Sequence, residues 1–346
     1  MTDRSQTPPD QRQPPLVETV ALPLVETVAL PLVETVALKK HFSLGRGQTL
    51  HAVDGISLAI EENQILGLVG ESGSGKSTFG KTLVGLLDKT SGQAFYRGTL
   101  LPQKFTTSDF IRYCSELQMI FQDPYSSLNP RMTVLDIIGE GLQLTGGYSK
   151  AQVRDTVVSW LEKVGLHSDH MSRYPHEFSG GQRQRIGIAR ALITRPKFVV
   201  CDEPISALDV SVQAQVINLL DELKQSMGLT MLFIAHDLSM VRYVSDRMAV
   251  MYLGALVETG PANDVFFNPK HPYTELLIES NPEPDPQIEK QRTHRPIEGE
   301  ITSPINIKPG CRFADRCPKV ADICRQETPE MTHVNDHHGV ACHLIN

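Results

Sequence analysis

No stretch of the 346-residue chain approaches the ~20 consecutive apolar residues needed to cross a bilayer. A membrane-spanning helix is therefore not expected. The amino terminus, Met1 to Pro15, is polar and proline-rich and lacks the charged start and apolar segment of a secretory signal. A cytoplasmic location is expected. A Lys/Arg block is also missing: 33 basic residues face 40 acidic ones, for a net charge of −7. That balance argues against a nucleic-acid-binding surface. Heptads are not sustained, which argues against a coiled coil. The six cysteines include no C-x2-4-C pair, the usual zinc spacing. In a cytoplasmic chain they point to thiols or metal ligands rather than disulfides.

What is present is ordinary for a globular protein: 40% hydrophobic and 21% charged residues, with length for about two domains. Residues 1–15 read as a disordered tail. Pro-Leu-Val-Glu-Thr-Val-Ala-Leu then occurs three times, at 15–22, 23–30 and 31–38. An eight-residue unit that stops after three copies is too small for a solenoid. It reads as a duplicated strand segment with only the last copy in the sheet, and its β-branched content suits an edge strand. Strands are expected at 197–202, 230–235 and 248–253, with helices at about 181–195 and 211–226. That alternation implies a mainly parallel sheet with helices on both faces. Beyond Gly260 proline recurs and four cysteines fall in the last 36 residues, which marks an appended, loop-rich piece.

The chain is organised around Gly70-Glu71-Ser72-Gly73-Ser74-Gly75-Lys76-Ser77-Thr78, which fits G-x-x-x-x-G-K-[ST]. Gly70, Gly73 and Gly75 let the backbone bend and bring its N–H groups to phosphate oxygens. Lys76 supplies charge for the β- and γ-phosphates, and the Ser77 hydroxyl suits Mg²⁺. The apolar stretch 64–69 should enter the loop as a strand. Thr78 to Leu87 should leave it as a helix, with Phe79, Leu83 and Leu86 on one face. Phe198-Val199-Val200-Cys201-Asp202-Glu203 reads as a buried parallel strand ending in two carboxylates. Ligands of such sheets collect at strand carboxyl ends. Asp202 is thus suited to hold Mg²⁺, and Glu203 to act on water as a general base. In Ser179-Gly180-Gly181-Gln182 the serine and glutamine have capping-box spacing, and the two glycines let a phosphate approach a helix start.

Ser179–Gln182 resembles the signature motif of ATP-binding-cassette ATPases. With the phosphate loop and the strand ending in Glu203, the chain is identified as similar to that family. The resemblance implies a phosphate-loop core sheet with an antiparallel edge sheet and a helical subdomain. It assigns Gln122 to Mg²⁺ and the attacking water, with a report to the membrane partner. Ser206 to Asp209 becomes the loop crossing to an opposing subunit, His236 the γ-phosphate contact, and Phe42 the aromatic stacked on adenine. Phe121–Arg131, Tyr174–Phe178 and His271–Thr274 are similar to dipeptide and oligopeptide importer ATPases. The implied division is residues 1–30 as a tail, 31–262 as the cassette with its helical subdomain at about 100–180, and 263–346 as the cysteine-bearing extension. The implied partners are a second, paralogous ATPase, two membrane permease subunits and an external peptide-binding protein. The implied place is the cytoplasmic face of the membrane. A nickel or other small-solute importer, or a soluble cassette protein acting on nucleic acid or ribosomes, are the competing readings.

Cys311, Cys317, Cys324 and Cys342 are spaced C-x5-C-x6-C-x17-C. Four thiolates can hold a [4Fe–4S] cluster, and similar tails in peptide-importer ATPases are associated with one. Zinc, with His333, His337, His338 or His343 replacing a cysteine, and four unliganded thiols stay open. A structural role is expected, with nothing in the sequence bringing these cysteines near the nucleotide.

Overall fold

A computed structural model describes residues 30–206, 208–280 and 303–345. The chain opens with a hairpin, β1 (Val33–Gly45) and β2 (Gln48–Ile60), followed by β3 (Ile65–Val69) and helix α1 (Lys76–Leu83). Strands β4 (Ser91–Tyr96) and β5 (Thr99–Leu100), helix α2 (Thr107–Tyr113) and strand β6 (Leu117–Ile120) come next. Helices α3 (Val134–Thr145), α4 (Lys150–Lys163) and α5 (Gly180–Leu192) lead to β7 (Phe198–Asp202). Then α6 (Val210–Met227), β8 (Thr230–Ile234), α7 (Leu238–Val244), β9 (Arg247–Tyr252) and β10 (Ala255–Pro261) alternate. Helices α8 (Ala262–Phe267) and α9 (Pro272–Glu279) and strands β11 (Thr332–Asn335) and β12 (His338–Val340) complete the described α-helices and strands.

Two sheets result. The larger runs β11-β12-β10-β9-β3-β8-β7-β6. Its pairings are parallel from β9 through β3, β8 and β7 to β6, and antiparallel beyond β9. Strands β3, β7 and β8 are buried at every position, as continuous apolar runs in a doubly covered sheet must be. Alternate residues serve opposite faces. Val199, Cys201, Met231 and Phe233 face the core built with α3–α9, whereas Phe198, Val200, Leu232 and Ile234 face the core closed by α1 and the smaller sheet.

The smaller sheet is antiparallel, in the order β2-β1-β4-β5. Among the described residues, β1 takes its repeat sequence from the third copy alone. The first two copies, except Leu30, lie outside the described residues. β1 is not an edge strand, contrary to expectation: β4 returns after α1 to pair with its free side. Pro31 precedes the strand and so removes no ladder bond. Helix α1 also ends sooner than expected. Val84 caps it, and Leu86 lies 46% exposed rather than on the buried face with Phe79 and Leu83.

Two further expectations about domain limits change. Strand β6 falls inside the stretch read as a helical subdomain, yet it belongs to the parallel sheet beside β7. Four residues are too few to show a period. The extension after residue 262 is not an appendage. Tyr273 and Phe313 are buried in the same core as Tyr252 and Val250, and β12 extends the main sheet from β10. No helix among the described residues is long and apolar enough to cross a membrane.

Candidate nucleotide site

The phosphate loop leaves β3 and enters α1. Gly70 and Gly75 have φ of 152° and 103°, in the left-handed half of the map. Side chains would also collide there: a Cβ on Gly70 would lie 2.1 Å from the Met251 carbonyl oxygen, and one on Gly75 1.9 Å from that of Ala52. The glycines therefore allow the loop to be clamped between β9 and β2. Ser72 and Gly73 stand exposed at the tip, Ser74 is buried, and Thr78 is half-buried in α1. The Lys76 ammonium donates to the Gly70 and Glu71 carbonyls at 2.7 and 3.0 Å, which holds it along the loop. Burial lowers its pKa, against the opposing pull of the Glu203, Asp202 and Glu71 carboxylates.

The strand carboxyl ends meet this loop. Ser77 Oγ donates to Asp202 Oδ1 at 2.6 Å. Asp202 is only 1% exposed, and burial raises its pKa despite the Ser77 bond and nearby Lys81. Glu203, the next residue, has φ of +43°, which costs a non-glycine residue of order 1–3 kcal/mol. Its N–H is fixed to the Ile234 carbonyl at 3.0 Å. Its Oε2 accepts from Gln122 Nε2 at 2.8 Å and lies 3.7 Å from His236 Nδ1. Thus Gln122, Glu203 and His236, from just beyond β6, β7 and β8, converge on one carboxylate.

The other expected residues lie elsewhere. Ser179 caps α5: its hydroxyl accepts from the Gln182 N–H at 3.3 Å, and Gln182 Oε1 accepts from the Ser179 N–H at 3.0 Å. These bonds close within Ser179–Gln182, and neither reaches the phosphate loop. Gly180 and Gly181 form the first turn. Asp209 is the exposed N-cap of α6, without a side-chain cap bond. Phe42 sits half-buried in β1 opposite Leu50, with the Lys40 ammonium 4.8 Å from its ring centre. The same hairpin supplies the Ala52 carbonyl that abuts Gly75.

The C-terminal extension also contacts this site, through residues that no local sequence pattern marks. The Arg316 guanidinium grips both carboxylate oxygens of Glu71 at 2.8 Å. The Tyr273 hydroxyl accepts from the Glu71 N–H at 2.9 Å. Arg312 donates to Asp54 of β2 at 2.6 Å and also to the Leu253 carbonyl. Asp54 further takes Lys39 at 3.1 Å and His41 at 3.0 Å, beside Phe42. Burial alone would raise the Asp54 pKa, but Arg312, Lys39 and His41 outweigh it and hold the carboxyl well below the usual range. The 245-residue separation of Arg316 from Glu71 has no pattern that sequence reading could catch. Both arginines lie inside the loop between Cys311 and Cys317.

The four tail thiols are near enough that their charges interact, and burial pushes Cys311 up to about 11 and raises Cys317 and Cys342. His338 is not among them. It is buried in β12, with Nε2 2.7 Å from Glu258 Oε1, and it joins no three-donor metal group among the described residues. His343 Nε2 lies 2.8 Å from the Glu327 carbonyl oxygen, and His333 is exposed.

The family model described as ABC transporter matches residues 53–206, and the one described as oligopeptide/dipeptide transporter, C-terminal region, matches 257–324. The putative oligopeptide transport ATP-binding protein YkfD of Bacillus subtilis (strain 168) is 52% identical over 308 residues, 89% of this chain and 93% of that one. The chain belongs to the ABC transporter ATPases, in the oligopeptide transport branch. The oligopeptide transport ATP-binding protein OppF of Salmonella typhimurium is 49% identical over 88% of this chain and 93% of its own. Among solved structures, a dimeric ATP-binding cassette in a post-hydrolysis state with ADP and Pi is similar with a TM-score of 0.62. It is 25% identical and covers 66% of this chain and 98% of its own. This cassette is accordingly an ABC-type ATPase with the ABC fold.

Proposed function

We propose that this cassette hydrolyses ATP to power import of dipeptides and oligopeptides through separate membrane-spanning subunits. The observation that carries the reading is the convergence of Lys76, Ser77–Asp202 and Gln122–Glu203–His236 at one end of the parallel strands. Lys76 and the loop N–H groups hold the β- and γ-phosphates. Ser77 and Asp202 offer two hard oxygen donors 2.6 Å apart, a donor set that fits Mg²⁺; Gln122, bonded to Glu203, is the further contact in this reading. When bound there, Mg²⁺ would neutralise charge on the phosphate oxygens. Glu203 takes the proton of the attacking water, and Gln122 and His236 orient that water and the γ-phosphate. Phe42 stacks on adenine.

The Ser179–Gln182 helix start, with Ser179 exposed, and the exposed Asp209 serve the opposing subunit, so a working unit contains two cassettes, here a heterodimer with a paralogue. The permease subunits lie at the cytoplasmic membrane face, and an external binding protein delivers peptide. Support for a membrane partner comes from a groove lined by Leu86, Phe110, Leu144 and Phe121, since Phe121 is the neighbour of Gln122. A carboxylate contact and an apolar groove are thereby joined across one peptide bond.

The cysteines Cys311, Cys317, Cys324 and Cys342 hold a [4Fe–4S] cluster in this reading. Among the described residues the thiols form no three-donor group with ligand atoms within 4.8 Å of one another. A tetrahedral zinc ion with Zn–S of about 2.3 Å needs its sulfurs about 3.8 Å apart, closer than any three of these thiols as placed. Two assays test the whole. ATP-dependent peptide uptake into proteoliposomes by the assembled transporter is expected, and no uptake of any peptide, with nickel taken up instead, contradicts the cargo. Anaerobic purification should yield iron and sulfide in equal amounts, whereas colourless protein with stoichiometric zinc contradicts the cluster.

A further inference from the structure

Every polar group of Glu71 is engaged, and two of the four partners come from the C-terminal extension. Its carbonyl accepts from the Lys76 ammonium and from the Ser74 N–H. Its N–H is taken by Tyr273, and both carboxylate oxygens are taken by Arg316. The Arg316 side chain is 4% exposed and that of Glu71 22%. Arg316 is itself set before it meets Glu71. Its guanidinium lies 5.7 Å from the Tyr252 ring centre and 6.0 Å from that of Phe313, and Nη1 donates to the Tyr252 hydroxyl at 3.2 Å. Tyr252, Tyr273 and Phe313 form one aromatic cluster with centroids 4.6 to 5.3 Å apart. The pair is thus fork-to-carboxylate, partly desolvated and rigidly backed, the geometry in which such a bond is strong.

Glu71 is a carboxylate inside a loop that must receive a polyphosphate. Left without its partner, it would repel the incoming charge at short range in a partly buried setting. We infer that Arg316 is a positioning residue of the nucleotide site: it neutralises Glu71 and fixes the phosphate loop, so that the C-terminal extension sets nucleotide affinity. The inference rests on the reading of Gly70–Thr78 as the phosphate site. It needs nothing bound at the cysteines. By linkage, nucleotide in the loop must in turn stabilise the segment carrying Arg316 by the same factor.

The test is titration of the full-length protein with a fluorescent N-methylanthraniloyl derivative of ATP, with the melting temperature recorded for each variant. Arg316→Gln should weaken binding by about tenfold, and that deficit should shrink as salt rises from about 0.05 to about 0.5 M, because repulsion is screened. Glu71→Gln, which removes the carboxylate, should cost less than about threefold. The double variant should return to within about threefold of wild type, because the orphaned charge is gone. A purely structural role for Arg316 predicts the opposite, a double variant as weak as Arg316→Gln or weaker. If Arg316→Gln does not fold, Arg316→Lys, which keeps the charge without the fork, carries the same comparison with an intermediate loss. Unchanged affinity in a folded Arg316 variant, or no recovery in the double, overturns the inference. Lys76→Ala separates the two layers. Wild-type binding by that variant overturns the phosphate-site reading itself, whereas its loss alongside normal binding by the Arg316 variants overturns the clamp alone.

Discussion

The chain contains two glycine-rich helix starts of similar chemistry, and they differ in what surrounds them. The phosphate loop at α1 is enclosed by its own chain: β2, β9, Asp202, Tyr273 and Arg316 all touch it or its side chains. The side chains of the signature at α5 bond only within it, through the Ser179–Gln182 capping box, while Val212 of α6 packs against Gly181 and Ser179 stays exposed. Both ends are equipped for anions. In the proposed reading, the first is a half-site built by its own chain and the second is a surface offered to a second nucleotide-bearing subunit. Binding and turnover should therefore separate by region.

That separation gives the largest expected effects. Lys76→Ala should lose nucleotide affinity by roughly 10- to 100-fold, the size of a charge-assisted contact. Ser179→Arg should leave affinity within about twofold while turnover in the assembled transporter drops by on the order of a hundredfold. Equal loss of binding in both variants, measured by the same fluorescent nucleotide titration, would erase the distinction between the two helix starts.

A smaller effect concerns the core shared by cassette and extension. His271 is 1% exposed, caps α9 by accepting from the Tyr273 N–H, and is held neutral by burial with its pKa pushed down to about 4. The unfolded chain binds a proton here near pH 6.5 and the folded chain does not until about pH 4. Its contribution is fully present above about pH 6.5 and is lost as pH falls toward about 4, worth roughly 3 kcal/mol in all. Urea unfolding at several pH values should show this slope in wild type and a flatter one in His271→Gln. An identical slope in both would remove His271 as its source. The smallest effect is expected from deleting residues 1–30. The third repeat copy already supplies β1, so melting temperature and ATPase activity should change little. A large loss of thermal stability on deletion would show that the earlier copies pack against the fold.

The sequence was most informative where function demands particular residues at short spacing. Gly70–Thr78, Ser179–Gln182 and the strand ending in Asp202 were legible because close backbone approach, capping and burial each restrict residue type locally. The interior place of β1 was not, since the strand that covers it, β4, is encoded some 50 residues on and signals nothing near Pro31. Strand β6 was too short to show a period. The tail misled for a related reason. Proline and cysteine content describes its local chain, but Phe313, Tyr273 and Arg316 find partners in Tyr252 and Glu71 that only the folded chain brings near.

The claim on which the account turns is that Glu203 is the base of an ATPase whose binding parts are separate from it. The direct measurement is ATP binding and hydrolysis by Glu203→Gln in the assembled transporter, side by side with wild type. The account predicts retained ATP affinity, turnover lower by about 10²- to 10⁴-fold and an ATP-dependent closed assembly that persists. Hydrolysis at the wild-type rate by this variant would contradict it.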